Sequence, residues 1–310
     1  MSEPALQTLR VRSSGVELHV VEYGQRGRPP LLLVHGFPDT HDVYSALIDE
    51  LGRDFHIAAF DLRGVGGSSA PSSDAGFRID AVLPDLTAVI DAVFGAAARV
   101  HLLAHDWGSI LAFSYLADRA RQRRIRSFTS VSGPHLAMMW SANLRHLASL
   151  RGGAMRAGLR QLASSWYALF FQLPVVPEWL FREHGPRLYE RIMVRGGVPK
   201  RDPYLNVTKD QVWSRTQHAL ELYRRNVLRP PKLPAPHSIS VPTALVVPLD
   251  DPFLRPSTYA FVGDYVTDLT VHELAASHWV PRSHPRELAE IVRELSARVD
   301  ACESSATATT

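Results

Sequence analysis

Hydrophobic positions in the first half of the chain fall into short runs. Glu17 to Tyr23, Leu31 to Val34, His56 to Phe60, Val100 to Leu103 and Arg126 to Val131 predict strands. Between them, Ile79 to Phe94 and Ser109 to Ala117 carry apolar residues at helical spacing. That alternation is the rhythm of an α/β fold, a mostly parallel sheet flanked by helices. From about Pro134 to about Pro236 the rhythm stops, and helix-like segments rich in Leu, Arg and aromatics follow without a strand pattern. Pro230-Pro231-Lys232-Leu233-Pro234-Ala235-Pro236 closes this stretch as a stiff linker. Strand patterns resume at Thr243 to Val247 and Leu269 to Leu274, and Pro285 to Val299 predicts a closing helix. We therefore expect a core built from residues 1–134 and 237–300, a helical cap inserted at 135–236, and a disordered tail at 301–310. No internal repeat is visible.

Composition narrows the class. A chain of 310 residues with 45% hydrophobic content can build one large core carrying a smaller insertion. The net charge of +3 is spread out except for a cluster in Arg119 to Arg126, which reads as a solvated face and not as a nucleic-acid surface. The single cysteine, Cys302, lies in the small polar tail, which excludes a disulfide framework and a thiol catalyst. Met1-Ser2-Glu3-Pro4 is not a basic leader ahead of an apolar core, so a cytoplasmic location is expected. The greasiest segment, Trp166 to Phe181, is interrupted by Gln172, Pro174, Pro177 and Glu178 and is too short to span a bilayer. A buried lid or substrate pocket is expected there.

The chemistry concentrates at Val100 to Gly108. An apolar run leads into Ala104-His105-Asp106-Trp107-Gly108, the strand–turn–helix signature that lifts one side chain clear of a sheet, with Asp106 where a serine is usual. A carboxylate is already ionised at neutral pH and attacks a saturated carbon without a base, which suits epoxides and alkyl halides. The alternative reading is a helix-capping Asp, so the neighbouring motifs decide. After the strand Leu31 to Val34 comes His35-Gly36-Phe37-Pro38, a loop able to aim an amide into a pocket; the N–H groups of Phe37 and Trp107 are the expected oxyanion hole. Asp61-Leu62-Arg63-Gly64-Val65-Gly66-Gly67-Ser68 lacks the Lys and helix that a phosphate loop needs and reads as structural, and Ser68 is no nucleophile. Asp250 and Asp251 follow the strand Thr243 to Val247, and either can orient a histidine; His278 follows the last strand. His41, His237 and His284 read as surface or capping residues. No metal-ligand spacing appears, so neither metal nor cofactor is expected.

Over roughly residues 15 to 298 these motifs together resemble the epoxide hydrolase branch of the α/β-hydrolase fold. The resemblance implies Asp106 as nucleophile, His278 as base and Asp251, the carboxylate preceding Pro252-Phe253, as its partner acid. It departs at Ala104, where glycine is usual. It also implies two tyrosines that hold the epoxide oxygen, at the positions of Tyr167, ahead of Phe171-Gln172, and Tyr223, which opens Tyr223-Arg224. The expected activity is hydrolysis of an apolar epoxide to a vicinal diol through an Asp106 ester, with Trp166, Phe170 and Phe171 lining the substrate pocket and no cofactor.

A haloalkane dehalogenase shares the nucleophile, Trp107 and the histidine, but Phe37 offers no side-chain donor to a halide. A fluoroacetate dehalogenase needs arginine where Trp107 and Ile110 stand. A catalytically silent binding protein would not need Asp106, Asp251 and His278 together. Expected partners are limited to the small molecule, without nucleic acid or membrane insertion; a homodimer is one assembly the sequence allows.

Overall fold

In the computed structural model, residues 5–149 and 151–308 are described; Met1 to Pro4, which carried the expectation of no leader, and Thr309 and Thr310 of the expected tail lie outside them. The described strands are β1 (Gln7–Ser13), β2 (Val16–Gly24), β3 (Pro30–Val34), β4 (His56–Phe60), β5 (Val100–His105), β6 (Ile125–Val131), β7 (Thr243–Pro248) and β8 (Leu269–Leu274). They form one sheet in the order β1-β2-β4-β3-β5-β6-β7-β8. The β1–β2 and β2–β4 pairs are antiparallel and all others parallel. Every position of β4, β5 and β7 is buried, because helices cover both faces of a parallel sheet; such strands read as unbroken apolar runs.

On the core lie α1 (Ser45–Leu51), α2 (Ile79–Phe94), α3 (Trp107–Leu116) and α4 (Arg119–Gln122). Between β6 and β7 the chain leaves the sheet and forms α5 (Leu136–Leu147), α6 (Gly152–Ser164), α7 (Trp166–Phe170), α8 (Val176–Arg195), α9 (Lys209–Thr216) and α10 (Leu220–Asn226). Among the described residues no strand interrupts this excursion. Two buried amides fasten it to the core. Asn226 accepts from the Ile79 N–H at 3.0 Å and donates to the Phe77 carbonyl at 2.9 Å. Gln161 donates to the Phe253 carbonyl at 3.0 Å and accepts from the Arg255 N–H at 2.8 Å. The chain then closes with α11 (Val280–Ser283) and α12 (Pro285–Ala308).

Two differences from the sequence reading have clear causes. Strand β1 was not expected; its Leu9 and Val11 alternate with charged or polar neighbours, and it exists by pairing with β2 from Gln7↔Glu22 to Ser13↔Val16 at the sheet edge. Residues 301–308, expected as part of a disordered tail, instead continue α12. The helix end is held to the core where Glu303 accepts hydrogen bonds from Arg99 at 2.7 Å and Arg126 at 2.6 Å. Contacts distant in sequence, invisible to local composition, order it.

The loop after β4 is anchored by charge. Arg63 makes a two-point ion pair with Asp85 of α2 at 2.7 and 2.6 Å, with both side chains buried. Removing one partner would strand the other charge away from water. Asp85→Ala is expected to cost about 3–5 kcal/mol in urea unfolding, and Arg63→Met/Asp85→Leu to recover most of it. A loss below about 1 kcal/mol for the single variant would show that the loop is not held by this pair.

Candidate active site

Strand β5 ends at His105 and α3 begins at Trp107, so a single residue makes the turn between them. That residue, Asp106, takes φ 51° and ψ −122°, a conformation costing about 1–3 kcal/mol for a side-chain-bearing residue. Its backbone is held at both ends, by Asp106 N–H to the Val131 carbonyl at 3.0 Å and Ile110 N–H to the Asp106 carbonyl at 3.0 Å. The turn fits because Gly108 and Gly133 lack side chains: a Cβ on Gly108 would strike the Val34 carbonyl oxygen, and one on Gly133 the Asp106 carbonyl oxygen. Ala104 is fully buried between Val34 of β3 and Ser130 of β6, where its methyl is accommodated.

The turn aims Asp106 at two different partners. Its Oδ2 accepts the Phe37 N–H at 2.8 Å, while Oδ1 stands 3.6 Å from His278 Nε2. His278 Nδ1 lies 2.7 Å from Asp251 Oδ2, and Asp251 Oδ1 accepts the Phe253 and Leu254 N–H groups at 2.7 and 3.0 Å. Asp251 is buried; Asp250 is exposed and does not reach the histidine. Burial opposes the charge on His278, but the Asp251 and Asp106 carboxylates outweigh it and push its pKa up to about 10. Burial likewise opposes ionisation of Asp106, yet His278 and the Phe37 N–H hold its carboxyl below the usual range. The resting arrangement is carboxylate, imidazolium, carboxylate.

A second layer, not singled out in the sequence, supports the histidine. The His278 carbonyl accepts from Ser132 Oγ at 2.8 Å and from His105 Nε2 at 3.0 Å. Behind His105 lies Asp39, fully buried, accepting from Tyr204 Oη at 2.8 Å and from the Trp279 indole at 3.0 Å. Burial raises the Asp39 pKa to about 6 despite these donors, and it pushes His105 down to about 4. His35 also stays neutral: burial lowers it to about 4, and its Nε2 accepts the Leu62 N–H at 3.0 Å, tying the loop after β3 to the loop after β4.

Above Asp106 lies a cavity of about 630 Å³. Phe37, Phe171, His278 and both tyrosines, Tyr167 and Tyr223, contribute to its wall. A smaller one of about 120 Å³ shares Asp106, Tyr167 and Tyr223 and extends toward Met139 and Asn143. The tyrosine rings meet edge to face, 6.1 Å apart, and Tyr223 packs on Phe37 and Trp107 at 5.2 and 4.9 Å. Burial, and then the Asp106 charge, raise both phenol pKa values well above the ordinary value, so both remain proton donors. Phe170 and Phe171 line the large cavity, Phe171 buried; Trp166 lines it too but is 61% exposed, at the rim.

Elsewhere, His41 is a correction. Expected as a surface or capping residue, it is largely buried, and its Nδ1 sits 2.7 Å from Asp61 Oδ1. His19, His41 and Asp61 are the one trio with metal-ligand atoms close together among the described residues. The 2.7 Å separation is a hydrogen bond, shorter than the roughly 3.3 Å between two ligand atoms of a tetrahedral zinc site. Asp61 Oδ2 also accepts the Gly67 N–H at 2.8 Å, and Ser68 Oγ donates to the Asp61 carbonyl at 2.6 Å, so the trio shapes a loop. No helix among the described residues is long and apolar enough to cross a membrane.

A family model described as alpha/beta hydrolase fold matches residues 29–285, and the chain belongs to that family. The "Probable oxidoreductase EphD" of Mycobacterium tuberculosis is 32% identical over 293 residues, covering 92% of this chain and 48% of that protein; the chain spans about half the length of that relative. "Epoxide hydrolase 4" of Homo sapiens is 26% identical, covering 92% of this chain and 78% of that protein. The crystal structure of a Bacillus megaterium epoxide hydrolase in complex with an inhibitor superposes with a TM-score of 0.75 at 25% identity, covering 94% of this chain and all of that one. The resemblance that the motifs carry is thus met by relatives and structures bearing the epoxide hydrolase name.

The charge arrangement sets a titration that can be measured. Because the folded pKa of His278 is raised, the stability it contributes is complete below about pH 6.5 and is lost as pH rises toward about 10. The unfolding free-energy difference between wild type and His278→Gln is expected to shrink across that window. In nitrogen-15 NMR, Asp251→Asn is expected to lower the His278 midpoint. A wild-type midpoint near 6.5 would mean the imidazole carries no buried charge at rest.

Proposed function

We propose that the chain is an epoxide hydrolase that opens an apolar epoxide to a vicinal diol through an ester on Asp106. The observation that carries this reading is the division of the Asp106 carboxylate beneath two protonated phenols: Oδ2 is held by the Phe37 N–H and Oδ1 is left toward His278 and the cavity. In the first step Oδ1 bonds to a ring carbon, the carbon–oxygen bond breaks, and the alkoxide takes a proton from Tyr167 or Tyr223. General-acid help of this kind is worth about 10²–10⁴-fold. Esterification removes the Asp106 charge that helped keep His278 protonated. The imidazolium then gives up its proton, restoring the tyrosine, and becomes the base for the second step.

Water, deprotonated by His278, attacks the ester carbon of Asp106. The charge that develops on Oδ2 meets the Phe37 N–H already placed there, with the Trp107 N–H as the second expected donor; removing one such donor costs about 10²–10³ in rate. Collapse of that intermediate breaks the bond from the carboxyl carbon to Oδ1, and the departing alkoxide takes the proton of the newly added hydroxyl; the diol leaves, Asp106 is again a carboxylate and His278 again an imidazolium. Asp251 keeps the histidine oriented and stabilises its imidazolium. The same nucleophile suits a haloalkane, but a halide has no use for two phenols, and none of the relatives described above bears a dehalogenase name.

With styrene oxide, His278→Gln is expected to accumulate a covalent adduct, visible as an intact-mass increase that maps to the Asp106 peptide. Diol formation by that variant without any adduct would replace the ester by direct attack of water. Tyr167→Phe and Tyr223→Phe are each expected to slow adduct formation in stopped flow by about tenfold or more, and together to nearly abolish it. Unchanged rates, joined to vigorous halide release from haloalkanes, would assign the site to dehalogenation.

A further inference from the structure

The large cavity runs from buried catalytic groups to exposed arginines. Its lining contains four guanidinium side chains, Arg160, Arg191, Arg195 and Arg255, all on exposed residues, and one carboxylate, Asp106 at the floor. The arginines come in two groups. Arg191 and Arg195 stand one turn apart on α8 and so share a face. Arg160 stands one turn from Ser164 on α6, and Ser164 Oγ accepts a hydrogen bond from Arg255 Nε at 3.1 Å. No ion pair joins any of the four to a carboxylate among the described residues, whereas Arg224 and Arg225 of α10 are paired with glutamate and aspartate. The imbalance is regional: residues 151–195 hold seven arginines and three glutamates, in a chain whose whole net charge is only +3.

Several cations converging on an otherwise apolar opening repel one another until an anion joins them. Guanidinium forks match a carboxylate, with two parallel N–H donors for its two oxygens. At the opposite end, the charged Asp106 repels an anion. A molecule with an apolar arm and a carboxylate therefore enters one way round, with its head at the rim and its apolar end at Asp106. From this arrangement we propose that the rim of the large cavity is a carboxylate-binding subsite, and that the preferred substrates are amphiphilic epoxides whose apolar arm ends in a carboxylate. The proposal deepens the epoxide hydrolase reading and rests on it. It narrows the apolar epoxide expected from the sequence to one that is apolar along its length and anionic at one end.

The test compares a decanoate bearing a terminal epoxide with its methyl ester and with a trimethylammonium analogue of similar length. The acid is expected to exceed the ester in kcat/KM by about tenfold, since each exposed guanidinium contributes a few-fold at most, and the cation to fall below the ester. The acid-to-ester ratio should decline as salt is raised, because pairs at an exposed rim are screened. It should fall to a few-fold in Arg191→Gln/Arg195→Gln and in Arg160→Gln/Arg255→Gln and approach one when all four are replaced, while Arg123→Gln on the core surface leaves it unchanged. Equal turnover of acid and ester by wild type, or a ratio that survives replacement of all four arginines, would overturn the subsite. If no epoxide is turned over, the catalytic reading fails by itself. Calorimetric binding of decanoate against decanol then still decides the subsite: tighter, salt-sensitive binding of decanoate that the arginine variants lose supports it, and equal binding overturns it.

Discussion

Three charged side chains, Asp106, His278 and Asp251, are buried together at the carboxyl ends of the strands. Burial of an uncompensated charge is among the most expensive things a fold can do, and much of the surrounding structure serves to offset it. The imidazolium lies between two carboxylates. Each carboxylate also meets backbone N–H groups, from Phe37 for Asp106 and from Phe253 and Leu254 for Asp251. The net negative charge that remains faces the N-terminal end of α3, where the helix dipole is positive. The positive φ of Asp106 is the backbone's share of this arrangement, tolerated because hydrogen bonds to β6 and α3 fix it from both sides.

The same electrostatics divides labour among the polar groups. Both tyrosines are kept neutral by burial and by the nearby carboxylate, which makes them donors and poor nucleophiles. His105 and His35 are kept neutral by burial and act as hydrogen-bonding struts, so of the histidines in contact with this centre only His278 carries charge. Asp39 supports His105 from below and is itself held by Trp279 and Tyr204, residues far from it in the sequence. The helical excursion completes the site from above, since α7 brings Tyr167 and α10 brings Tyr223 to one cavity wall. Gln161 and Asn226 bind that layer to the core at separate points and so fix the distance from the phenols to Asp106.

Legibility followed burial and locality. Strands β3, β4, β5 and β7 were readable because helices cover both sheet faces, which forces unbroken apolar runs. Edge strand β1, with solvent on most of its side chains, leaves only a weak alternation that loop residues imitate. The end of α12 was misread because small polar residues suit a disordered tail as well as an exposed helix; Arg99 and Arg126, far away in sequence, decide between them. His41 was misread for a similar reason, its partner Asp61 being twenty residues downstream. Asp39 gave no signal, since an Asp after Gly-Phe-Pro is an ordinary loop residue until Trp279 and Tyr204 arrive over it.

By itself the sequence determined the sheet-and-insertion layout and the identities of the residues at the elbow, the two loops and the last strand end, because these rest on local patterns of burial and backbone sterics. Geometry had to come from the tertiary structure. The choice of Asp251 over Asp250 as the histidine's neighbour had rested on resemblance, and the fold places one carboxylate inside and the next outside. The protonation of His278, the neutrality of the tyrosines and the convergence of four arginines on one opening depend on which charges and how much water surround each group. Those quantities are set by residues far apart in the chain, and only folding brings them within a few ångströms.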